Sequence, residues 1–131
     1  MILEFGYGNG TQSVTLPEEN LLACLTANPM THPRSGVDAV VYALNNPIGS
    51  DRLSNLVHPG QTVAIITSDI SRPMPTWQVL PSVLEELYTA GIRKEDITLV
   101  FALGSHRHHT EEEMRHLAGD AVDESRCVDS D

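Results

Sequence analysis

Two apolar runs limit what this chain can become. Thr62–Thr67 and Ile97–Ala102 are apolar almost throughout and rich in β-branched residues. Strands without polar alternation are those buried on both faces, as in parallel sheets. Between them, Val79, Leu80, Val83, Leu84 and Leu87 repeat at helical spacing over about Thr76 to Ala90. Strand, helix, strand is a βαβ unit, and its crossover is right-handed. Pro81 falls inside the helical pattern, where it removes an N–H and should bend the helix or delay its start. Gly91 is a natural stop.

The rest of the chain fits around that unit. Met1–Phe5 and Ser13–Leu16 flank a glycine-rich turn and read as an N-terminal hairpin. Leu21–Thr26 is undecided between helix and extended chain. Asn28–Pro33 is loop. Ser35 starts a helix with Asp38 placed as in a capping box, and Val37, Val40, Val41 and Leu44 form its stripe up to Asn45-Asn46-Pro47. A short helix covers Asp51–Leu56, and Pro59-Gly60 is a turn. Thr110 with Glu113 is a second capping box, opening a helix that runs to Ala118 and stops at Gly119. Arg126-Cys127-Val128 begins another strand. The expectation is one α/β domain over 1–131: an open, mostly parallel sheet with βαβ units, helices on both faces and a small N-terminal hairpin.

Composition narrows the partners. Eighteen acidic residues against eight basic ones give a formal charge of −10, so nucleic acid and anionic membranes are poor partners. No stretch approaches the roughly 18 apolar residues of a membrane span. Cys24 and Cys127 lie far apart and match no metal spacing. They read as free thiols of a cytoplasmic protein.

Polar chemistry collects after the two apolar strands. "TSDISRPMP" follows the first and "GSHRHHT" the second. Ligands of open parallel sheets bind beyond the carboxyl ends of the strands. Neighbouring strands would put Asp69, Ser71, Arg72, His106, Arg107, His108 and His109 in one cleft. Arg72 offers a planar fork for a carboxylate or phosphate. Ser68, Ser71 and N–H groups ahead of the helix suit an anion. Asp69 suits a hydroxyl proton or a ribose, and His106 acid–base work.

Plainer readings stand beside these. Asp69 or Ser71 alone caps a turn, and Arg72 alone makes a surface ion pair. His108 and His109 read as a solvated turn before a helix. No carboxylate or thiolate at typical spacing completes a metal set with the histidines, so no metal ligand is assigned. His32, His58 and His116 read as surface residues. A hydrolase using His106 lacks a G-x-S-x-G elbow.

The two loops, read together, carry a resemblance. "TSDISRPMP" and, further on, "ALGSHRHHTEEE" follow the order S-D-x-T/S-R-P then G-x-H-R-x-x-T-x-x-E. This resembles the N-terminal domain of the lactate racemase family, the nickel-pincer-nucleotide-dependent 2-hydroxyacid racemases and epimerases. "YGNG", "ALNNPIGSDRL" and "AGIRKEDITLVFALG" fit as well, so the likeness spans nearly the whole chain. It implies hydride removal from the α-carbon by the cofactor, with a histidine taking the hydroxyl proton. By position, His106 matches one catalytic histidine and Arg72 the arginine on the substrate carboxylate. Ser68, Asp69 and Ser71 fall in the cofactor-proximal loop, and Arg107 beside the substrate. Family members are much longer. Their cofactor-linking lysine, nickel-ligating histidine and second catalytic histidine lie past residue 131, and Lys94 does not match that lysine. The implied partners are a 2-hydroxyacid and a missing C-terminal part, without which this stretch would be inactive; an oligomer is compatible. The alternative is a stand-alone α/β module that binds a phosphorylated or carboxylated small molecule without catalysis.

Overall fold

The computed structural model describes residues 1–130. Its contacts divide into two compact units, Met1–His32 and Pro33–Asp131.

The first unit is the expected hairpin. Strand β1 (Ile2–Tyr7) pairs antiparallel with β2 (Gly10–Thr15), in register from Ile2↔Thr15 to Tyr7↔Gly10. Gly8 turns the chain at φ +56°, a conformation open to glycine at no steric cost. Glu18–Asn20 forms a 3-10 turn, and Leu21–Thr26, undecided from sequence, has no regular structure.

The second unit holds the βαβ frame. Strands β3 (Val63–Ser68), β4 (Ile97–Ala102) and β5 (Arg126–Asp129) form a parallel sheet in the order β3-β4-β5. Val63 pairs with Ile97 and Thr67 with Phe101; Phe101 in turn pairs with Asp129. All three carboxyl ends therefore meet at one edge.

Helix α3 (Thr76–Thr89) joins β3 to β4, and α4 (Glu111–Ala118) leads from β4 toward β5. Leu80, Leu84 and Leu87 of α3 pack with Ile97, Leu99 and Phe101 of β4 and with Leu117 and Ala118 of α4. Full burial of each such side chain contributes about 1.5–3 kcal/mol. Pro81 neither ends α3 nor delays it: the helix runs unbroken through it. Ala90 caps α3, and Gly91 follows at φ +85°.

The α/β class, the parallel sheet and the hairpin are as expected. The helical cover differs in one respect. Both crossovers step the same way along the sheet, so a constant hand puts α3 and α4 on the same face. Ile66, pointing the other way, is 73% exposed.

Helices α1 (Gly36–Asn45) and α2 (Leu53–Leu56) pack on α3. The α1 stripe is only half used: Val40 and Leu44 are half-buried, whereas Val37 and Val41 are exposed. Ser35 precedes α1 but its hydroxyl caps nothing, so the expected first capping box is absent. The second is present. Thr110 accepts from Glu113 N–H, and the Glu113 carboxylate accepts from Thr110 N–H. Arg52 and Ser54 both hold Glu86, fastening α2 to α3.

One small contact matters for the loop after β3. The hydroxyls of Thr67, in β3, and Thr76, at the first turn of α3, meet at 2.6 Å and are both buried. They close residues 68–75 at the base.

Candidate functional site

The loops after β3 and β4 lie side by side because their strands are neighbours. Asp69 follows β3 directly and is buried. Its carboxylate contacts His106 Nδ1. Ser71 Oγ donates to the same carboxylate at 2.9 and 3.1 Å and lies 3.1 Å from His106 Nδ1. The Arg72 backbone N–H adds a bond of 3.3 Å. The His106 hydrogen bond, aided by Ser71, holds the Asp69 carboxyl well below its ordinary value, at about 2. A carboxylate anchored in this way accepts a hydrogen bond from Nδ1–H, which leaves His106 Nε2 as the acceptor. That nitrogen has no hydrogen-bond partner among the described residues, and the ring is half exposed.

Arg72 stands on the same side. Asp69, Arg72, Leu103, Gly104, Ser105 and His106 line an open cleft of about 290 Å³. Among the described residues the Arg72 guanidinium has no carboxylate partner, and every other arginine except Arg34 and Arg126 is paired with an acid. Ser68 accepts a hydrogen bond from Met74 N–H at 3.2 Å and keeps its own hydroxyl hydrogen for another acceptor. The arrangement thus combines a cation and an oriented imidazole at one cleft, with the Ser68 hydroxyl at the adjoining end of β3.

Arg107, adjacent in sequence, is directed elsewhere. It makes a two-point pair with Glu113 at 2.9 and 2.7 Å. Arg107 is the main cause that brings the Glu113 carboxyl down to about 2, with Thr110 N–H helping. This closes the α4 cap rather than the cleft.

His108 and His109 diverge. His108 is exposed, with Nδ1 at 3.2 Å from Asp129. The His109 side chain is only 1% exposed. It is no solvated turn residue: it lies against the buried Phe101 ring, centroids 5.3 Å apart. Its Nδ1 is 2.6 Å from Asp129 Oδ1, its backbone N–H donates to Asp129 Oδ2 at 2.9 Å, and its Nε2 accepts from Ile70 N–H at 3.0 Å. Burial pushes the Asp129 carboxyl up, but the His109 hydrogen bonds outweigh it and the net direction is down.

Asp129 is the residue that sequence reasoning missed. Its signal was topological: a third parallel strand ends beside the histidine loop, as the pairing Phe101↔Asp129 shows. Ser130 completes the latch, donating its N–H to Phe101 C=O and accepting from Leu103 N–H. His32, His58 and His116 are exposed, and Cys24 and Cys127 are free. No described helix is long and apolar enough to cross a membrane.

The chain is similar to known proteins over nearly its whole length. Residues 7–131 match the family described as the lactate racemase N-terminal domain. Lactate racemase of Thermoanaerobacterium thermosaccharolyticum is 32% identical over 125 residues, covering 94% of this chain and 29% of that protein. Lactate racemase of Lactiplantibacillus plantarum is 30% identical over 122 residues, covering 92% of this chain and 28% of its own length. The solved lactate racemase apoprotein from Thermoanaerobacterium thermosaccharolyticum superposes with a TM-score of 0.76 at 32% identity, over 100% of this chain and 30% of that one. The chain therefore spans less than a third of the relatives it matches. The match runs from the hairpin through the last described strand, and on that extent the chain belongs to the lactate racemase N-terminal domain family.

Proposed function

We propose that this chain is the N-terminal part of a 2-hydroxyacid racemase or epimerase, with lactate as the first candidate substrate, and that it is inactive without the remainder. The observation that carries the reading is the Asp69–His106 pair beside Arg72, which has no acidic partner among the described residues. A 2-hydroxyacid needs both: a cation on its carboxylate and a base on its hydroxyl.

The residues act as follows. Arg72 holds the substrate carboxylate. His106 Nε2 takes the hydroxyl proton, and the resulting imidazolium is stabilised by Asp69 across Nδ1. Loss of that proton together with a hydride from the α-carbon leaves a planar 2-oxoacid. His106 then gives the proton back to the carbonyl oxygen as hydride returns to either face, so atoms and electrons balance over the cycle.

A nickel-pincer nucleotide, when bound, supplies the hydride acceptor. Ser68, at the end of β3, would offer its hydroxyl hydrogen to the anionic part, with Asp69 and Ser71 in the loop that follows. Among the described residues no cluster of three metal ligands is arranged around this cleft. Nickel would take its protein ligands from the remainder of a longer protein.

The test uses the protein at its natural length and lactate deuterated at the α-carbon. Racemised product that keeps its deuterium supports hydride transfer and return. Loss of deuterium to water means proton abstraction at carbon and overturns the reading. Absence of racemisation across lactate, malate and sugar acids overturns it as well.

A further inference from the structure

The His109 imidazole reaches all three strand ends at once. It leaves the loop after β4, binds the Asp129 carboxylate at the end of β5, and accepts the backbone N–H of Ile70 in the loop after β3. No other side chain among the described residues makes hydrogen bonds to both flanking strands' ends.

The hydrogen bonds fix its protonation pattern. A ring nitrogen that accepts an amide N–H carries no proton, so Nε2 is bare and the ring proton sits on Nδ1, facing Asp129. A proton on Nε2 would set two donors against each other at 3.0 Å. The tilted contact with Phe101 and the near-complete burial of the ring leave it no alternative partner.

Ile70 is the residue after Asp69. Holding its amide fixes the peptide plane between the two, and with it the direction in which the Asp69 side chain leaves the backbone. The Asp69 carboxylate must face His106 Nδ1 for the His106 tautomer to be set.

We propose that His109 is a positioning residue: a neutral, Nδ1-protonated strut that carries the orientation of β5, through Asp129, to the Ile70 amide and so keeps Asp69 aimed at His106. Its catalytic consequence rests on the racemase reading; its tautomer and its hold on Ile70 do not. His109 touches neither substrate nor cofactor and acts through Asp69.

The test begins with nitrogen-15 NMR of histidine rings in the natural-length protein at neutral pH. One buried ring with a protonated Nδ1 and a bare, hydrogen-bonded Nε2 is expected. A ring protonated on Nε2 or on both nitrogens overturns the proposal without any variant. His109→Gln and His109→Asn then separate the two bonds. The Gln amide can still reach Ile70 as an acceptor, whereas Asn reaches only Asp129. His109→Gln should keep the His106 ring in its Nδ1-protonated form, and His109→Asn should let it mix with the other tautomer.

With lactate, kcat of His109→Asn should fall about 10- to 100-fold below that of His109→Gln, the scale of a small misplacement of a catalytic group, with KM little changed. Equal His106 spectra and equal kcat in the two variants overturn the role. An inactive wild type with the expected tautomers would instead count against the racemase reading alone.

Discussion

The Asp69 carboxylate meets His106 at Nδ1, across two loops and 37 residues of sequence. That contact decides which imidazole nitrogen faces the cleft. Asp69→Asn removes the charge that stabilises the imidazolium and allows the wrong tautomer. In the natural-length protein kcat should fall by about 10²–10⁴-fold, with KM changed far less. Initial-rate measurements on lactate check this, and a loss confined to KM would contradict it.

Arg72 should report on binding rather than folding. It is exposed and has no acidic partner among the described residues, so its removal leaves no buried charge behind. Arg72→Ala should raise KM strongly while the thermal midpoint moves within about 0.5 kcal/mol of stability. Arg72→Lys should recover only part of the loss, because an ammonium cannot match the planar two-point grip. Paired kinetics and thermal melts decide the matter, and equal losses in both would remove Arg72 from the site.

Gly91 is constrained by its place after α3. It sits at φ +85°, and an added Cβ would come within 2.8 Å of Pro59 Cγ. The left-handed conformation alone costs a non-glycine residue about 1–2 kcal/mol, and the Pro59 contact adds to it. Gly91→Ala should lower the urea midpoint with an unchanged slope. A neutral result would mean that the Pro59 turn yields freely.

Acid should loosen the site loops within a defined window. Asp69 and Glu113 are both held down to about 2, by His106 and Arg107 respectively, from ordinary values of 3.8 and 4.5. A lowered carboxyl stabilises the fold fully above its unfolded pKa, and that stabilisation disappears as pH falls through the folded value. Urea midpoints should therefore begin to drop near pH 4.5 and keep dropping to about 2. The Asp69→Asn/Glu113→Gln double variant should drop less over the same interval. An identical decline would place the acid sensitivity in other groups.

Thr110→Ala should cost about 1 kcal/mol. It removes the side-chain acceptor for Glu113 N–H, while the Glu113 carboxylate keeps the Arg107 pair and the backbone N–H of residue 110. Chemical denaturation measures it. Because Arg107 borders the histidine loop, the same variant should also raise hydrogen exchange at 107–110.

A feature is legible in the amino-acid sequence to the extent that its cause is local. The βαβ unit is legible because two strands and a helical stripe each announce themselves within a short window. Thr110 and Glu113 are legible for the same reason. Ser35 and Asp38 have the same spacing, yet the first turn of α1 stays solvated, so nothing forces the serine into a cap. Continuous apolar runs suggest strands covered twice, but Ile66 faces outward because both crossovers lie on the opposite side. Asp69, Arg72 and His106 are legible as a group because neighbouring parallel strands must bring their following loops together. His109 reads as a turn residue because its partners, Asp129 and Ile70, lie far away in sequence and meet it only through the register of three strands. The Arg107 pairing with Glu113 is within reach, since a short stretch across the cap separates them.

The 2.6 Å contact between Thr67 and Thr76 makes the segment that bears Asp69 and Arg72 a closed ring, pinched shut at its neck. The ring still meets the leucine core at one point, Ile70, which packs against the buried cluster. Exposed side chains of the ring, such as Arg72, can be exchanged with little effect on the sheet, whereas Asp69 is buried and Ile70 is tied to the core. A change at the neck works the other way. Thr76→Val would strand the buried Thr67 hydroxyl and let the ring breathe, disturbing every group on it at once.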